Sequence, residues 1–99
     1  MPRDRAEFDD VLEDGHLEDT FTIGTSPVEI KVGASIMDGR ELVIVHNDSD
    51  DPVFHGSATV TVATGIPILS GVTMAIPAGR AVYLVAGSAG NVVRGHEIG

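Results

Sequence analysis

The chain has no cysteine and no tryptophan. Without cysteine, neither a disulfide nor a thiolate metal site can brace the fold, so stability must come from packing or from a partner subunit. One tyrosine and three phenylalanines are the only aromatics, too little ring surface for a sugar-stacking or base-stacking platform. Six basic residues stand against 15 acids, a net charge of −9. Phosphate backbones and anionic membranes demand the opposite balance, so no nucleic acid and no membrane is expected as a partner. No apolar run approaches the ~20 residues that span a bilayer. The N-terminus lacks the basic start and apolar stretch of a signal peptide, which points to assembly in a cytoplasm-like space.

What is present suits a small β-protein. The 99 residues are enough for one domain with a thin core. Hydrophobic residues make up 42% of them, and 12 glycines and five prolines break that material into short runs. Those breaks leave no room for long helices and read as turns between strands.

Charge divides the chain in two. Residues 1–19 hold eight acids against Arg3 and Arg5, whereas residues 20–99 hold seven against four bases. The first segment is therefore expected to be an acidic arm and the second a β-sandwich domain. Phe8, Val11, Leu12 and Leu17 are the arm's large apolar residues. The first three fall at i, i+3 and i+4, a spacing that allows one amphipathic helical turn. The arm is either a solvated tail or a segment that orders on a neighbouring subunit, with Phe8 and Leu12 as anchors.

From residue 20 the period becomes two. Val28, Ile30 and Val32 alternate with Glu29, Lys31 and Gly33, the mark of a half-buried strand. Residues 20–25 read as its partner. Residues 41–46 are apolar on both faces and predict a central strand, or one that faces another subunit. Residues 47–52 form a polar turn. Residues 53–55 and 58–63 follow, with Gly56 as a bulge or bend between them. Further strands are expected at 66–69, 72–76, 81–86 and 91–98. About eight short strands and no helix in the body predict an all-β antiparallel sandwich or small barrel. Gly39, Gly65, Gly71 and Gly79 are expected in turns, some with positive φ.

The search for chemistry finds little. No serine occupies a nucleophile elbow, and no glycine-rich loop leads into a helix. Carboxylates crowd only in the arm, where nothing would raise their pKa by burial. His46 and His55 flank the polar turn; facing each other across a hairpin, they would need a carboxylate to hold zinc. A metal-dependent barrel enzyme would require that convergence. His16 lies in the arm and His96 near the C-terminus, neither at a metal-ligand spacing. Asp48, Asp50 and Asp51 offer carboxylates for calcium, but Asn, Asp, Ser and Pro are also ordinary turn residues. No enzymatic activity, catalytic residue, metal or cofactor is expected.

A resemblance is carried by three stretches in order. They are Gly39-Arg40-Glu41-Leu42-Val43-Ile44-Val45-His46-Asn47, Pro52-Val53-Phe54-His55-Gly56 and Thr64-Gly65-Ile66-Pro67-Ile68-Leu69-Ser70-Gly71. An apolar run with Tyr83 follows, then Val93-Arg94-Gly95-His96-Glu97. From about residue 20 to 98 this order is similar to a small β-sandwich module of tailed-bacteriophage structural proteins. Ser70-Gly71-Val72 departs from it where a charged residue commonly follows the second glycine. The resemblance implies a capsid decoration (cement) subunit on the virion surface, with the major capsid protein as partner and a homo-oligomer, a trimer, as its state. A tail or head–tail adaptor and a host-surface-binding module are the alternatives it leaves open. On this reading the arm residues Phe8, Val11, Leu12 and Leu17 contact the capsid or a neighbouring subunit. From their own position, Arg40 and Arg80 each precede a strand and are candidates for pairing with acids on a neighbour, a solvated arginine being the alternative.

Overall fold

The computed structural model describes residues 16–99, and these fold as an all-β protein of eight antiparallel strands in two four-stranded sheets. The strands are β1 (His16–Ile23), β2 (Val28–Glu29), β3 (Leu42–Asn47), β4 (Val53–Gly56), β5 (Ile66–Ile68), β6 (Thr73–Pro77), β7 (Tyr83–Ala86) and β8 (Asn91–Ile98). One sheet runs β1-β8-β3-β6 and the other β2-β7-β4-β5. Apart from β4 and β5, strands adjacent in sequence either change sheet or are separated by another strand, so nearly every ladder is long-range.

The core lies between the sheets. Ile23, Val43, Val45, Ile76 and Val93 come from the first sheet, and Val53, Ile68, Leu84 and Ala86 from the second. Alternation explains the selection. Along β8, Asn91, Val93, Gly95 and Glu97 are buried, whereas Val92 and Arg94 are exposed and His96 and Ile98 half-buried. The expected strand at 91–98 is found with those limits, and β3 is central, between β8 and β6, as its two apolar faces required.

Three expected elements differ. The boundary after residue 19 falls inside β1, which starts at His16, so Leu17 belongs to the sheet and pairs with Glu97. β2 keeps only two residues in its ladder. Ile30 still donates its backbone N–H to Val82, but the Val32 N–H turns to the Glu97 carboxylate and the strand ends. Residues 58–63 form turns rather than a strand. There Val60 is 4% exposed, and its Cγ2 occupies the space beside Gly56 and Gly65. The alternation in that stretch reflects one apolar plug, not a ladder. Of the four glycines expected in turns, Gly39 and Gly71 have positive φ, at 71° and 77°.

Candidate functional site

Two surface features stand out: the outer face of the first sheet and the edge formed by β5 and its flanking loops.

Pairing register builds the outer face. Residues two apart on a strand share a face, so His16 and Glu18 point the same way from β1. Glu18 pairs with His96 on β8, and His96 pairs with Ile44 on β3. One register step along, Thr20, Arg94, His46 and Thr73 form a parallel row. His16 Nε2 lies 2.8 Å from His96 Nδ1, a hydrogen bond between two half-buried rings. Glu18 Oε1 is 3.9 Å from each of those two nitrogens. Among the described residues these three are the group of His and acidic side chains whose donor atoms converge on one point. Beside them, Ile44, His46, Thr73, Arg94 and His96 line a shallow depression of about 380 Å³. His46 Nδ1 shares a hydrogen bond with Thr73 Oγ1 at 2.8 Å, and Arg94 donates to Asp48 at 3.0 Å.

The second feature is apolar. Val62, Ile66, Leu69 and Val72 are exposed, Ile66 and Leu69 by more than half. They lie on the 57–65 loop, on β5 and in the turn from β5 to β6. β5 and β6 are each the edge strand of their sheet, and each carries a proline, Pro67 and Pro77. Proline has no N–H to offer a new ladder, so these edges resist strand addition while leaving apolar side chains in the open.

Several expected site residues lie elsewhere. Phe8, Val11 and Leu12 fall outside the described residues. Leu17 is half-buried in β1. Arg40 is corrected: its side chain is fully buried and its charge is met by the chain's own Glu97. Its Nε donates to the Ala78 carbonyl at 2.9 Å and its Nη1 to the Ile30 carbonyl at 2.8 Å and to Glu97 at 2.7 Å; Nη2 donates to the Arg80 carbonyl. Four of the five guanidinium N–H groups are used internally and the side chain is fully buried, so it is not presented to a neighbour's acid. Arg80 is exposed. His46 and His55 do not face each other, because they sit on strands of different sheets. Asp48, Asp50 and Asp51 stay in the turn after β3, with Asp48 engaged by Arg94.

The convergence of His16, Glu18 and His96 was hidden in the sequence. The His-x-Glu alternation was its one local signal, and it lay in a segment read as arm. The third member is 80 positions away from His16, and only the β1–β8 register brings it near. No known protein family, curated protein or solved structure matches the chain.

Proposed function

We propose that this chain is a structural subunit that acts through protein contact, specifically a capsid decoration protein on the outer shell of a tailed phage. In this reading it binds the major capsid protein and assembles as a homo-oligomer, a trimer. The observation that carries the contact role is the exposed apolar set Val62, Ile66, Leu69 and Val72 along a proline-blunted edge. Such side chains gain roughly 25 cal/mol for each Å² removed from water, and a partner surface is what removes them. The virion setting rests on the ordered resemblance of residues 20–98. The acidic segment before β1 adds charge that speeds and orients encounter with a basic seam.

The test is light scattering on the purified chain, with co-sedimentation on expanded capsid shells of a tailed phage. A trimer that pellets with shells, and that fails to pellet once Ile66 and Leu69 are both changed to Asp, supports the proposal. A monomer that stays in the supernatant overturns it. Deleting residues 1–14 separates the arm's contribution from that of the β-body.

A further inference from the structure

We propose that His16, Glu18 and His96 form a binding site for a divalent transition-metal ion of the zinc type. The inference stands apart from the virion reading and uses only the geometry of β1 and β8.

The donor set has the right chemistry. Two imidazole nitrogens and one carboxylate oxygen suit zinc and its first-row neighbours, whereas calcium and magnesium prefer shells of oxygen. The distances also fit. Ligand atoms at about 2.0–2.1 Å from a tetrahedral ion lie roughly 3.3 Å from one another. Here the nitrogen pair is at 2.8 Å and both nitrogen–oxygen separations are 3.9 Å. The required spacing falls between these values, within reach of small rotations about the side-chain bonds. The ring planes are tilted by 37° with centroids 5.0 Å apart, so the two nitrogens meet edge to edge instead of stacking.

The scaffold holds the ligands in place. All three residues sit on regular strands joined by a continuous antiparallel ladder from His16–Ile98 to Ile23–Asn91. Sites on rigid elements keep their geometry better than sites on loops. Arg94, which lines the same hollow as Glu18 and His96, is turned toward Asp48 and does not compete for the carboxylate. Proton accounting is simple. In the hydrogen-bonded pair one ring supplies an N–H to the other. For both nitrogens to ligate, that proton moves to the other nitrogen of the same ring, so two neutral imidazoles bind the ion without net proton loss. Three protein ligands leave one tetrahedral position for water or for a donor from a partner.

The experiment is calorimetric titration of zinc chloride into the tag-free full-length chain, with its variants and with histidine side-chain NMR. One saturable equivalent is expected, at least ten-fold weaker in His16→Gln and in His96→Gln and unchanged in His46→Gln. On the unsubstituted chain, zinc should shift the ring nitrogens of His16 and His96 ahead of those of His46 and His55, a readout that does not depend on any variant folding. Undiminished zinc affinity in the His16→Gln/His96→Gln double variant overturns the proposal, as would an absence of saturable binding or ring shifts confined to His46 or His55.

Discussion

Glu97 Oε2 accepts a hydrogen bond from Arg40 Nη1 at 2.7 Å, with the two side chains only 1% and 0% exposed. The pair sits where loops meet the sandwich. Glu97, on central strand β8, also accepts the backbone N–H groups of Val32 at 2.8 Å and Met37 at 3.3 Å. Arg40 gathers the carbonyls of Ile30, Ala78 and Arg80. Two segments outside the strands, 30–41 and 78–80, are thereby tied to the core.

Removing one member should therefore be worse than removing both. Arg40→Met leaves a buried carboxylate with only amide donors, and Glu97→Leu leaves a buried guanidinium without its counter-charge. Each is expected to cost about 3–5 kcal/mol. The double variant should lose less than the sum of the two, because no uncompensated charge remains. Urea unfolding of all four proteins measures the coupling; strict additivity would show that the ion pair does not hold these loops.

Asn47 plays a similar part at the opposite end of β3. Its fully buried amide donates to the carbonyls of Asp51 and Ile68 at 2.8 and 2.9 Å, and its Oδ1 accepts the Ser49 N–H at 3.1 Å. Asn47→Ala removes the side-chain partner of the Ile68 carbonyl and of the Ser49 N–H, while the Asp51 carbonyl keeps the Ser49 hydroxyl at 3.0 Å, so a loss of about 1–3 kcal/mol is expected. Asn47→Asp should be at least as damaging, since it removes both donors and introduces a charge in a dry position. The same unfolding curves check this, and a loss below about 0.5 kcal/mol for either variant would deny Asn47 that role.

At Gly65 the constraint is space rather than backbone angle. An added Cβ would lie 2.7 Å from Phe54 Cβ and 2.8 Å from Val60 Cγ2. Gly65→Ala is expected to destabilise by about 1–3 kcal/mol, and Val60→Ala in the same chain should recover part of that loss. Gly71 offers the contrast. Nothing lies within 4 Å of its hypothetical Cβ, but its φ is 77°, so Gly71→Ala should cost about 1–2 kcal/mol that no neighbouring truncation relieves. Thermal unfolding of these variants separates crowding from conformational strain.

These particulars show where the sequence was readable. β8 was legible from the glycine and serine turn that precedes it and not from alternation, because its buried positions are Asn91, Val93, Gly95 and Glu97, which no hydrophobic period marks. β3 was legible as a central strand from its two apolar faces. What period two cannot reveal is a side chain taking over a backbone partner. The Val32 N–H leaves the ladder for Glu97, so β2 is shorter than the Val28-Ile30-Val32 pattern implies. Nor does it distinguish a strand from a loop with one buried valine, as at Val60. Arg40 looked like a surface cation because its counter-charge, Glu97, is 57 positions away. The His16–Glu18–His96 group was concealed for the same reason: its distances depend on a long-range register.

His55 provides the pH-dependent prediction. It is half-buried in β4, opposite Leu84 on one side and Ile66 on the other. Burial makes the imidazolium unfavourable and lowers the pKa below its ordinary value of 6.5. The sign follows from linkage. Well above 6.5 the ring is neutral in both folded and unfolded chains and contributes no pH dependence. As pH falls through the unfolded value, the unfolded chain takes up a proton that the folded chain still refuses, and stability declines. The decline levels off once pH is below the folded pKa. Between about pH 7.5 and pH 5.5, the unsubstituted protein should therefore lose more stability than His55→Gln, which keeps a polar side chain of similar reach but does not titrate. Urea midpoints at the two pH values provide the comparison. Equal losses in the two proteins would mean that the folded chain admits the proton at His55 as readily as the unfolded one, and that water reaches the ring despite its position beside Leu84.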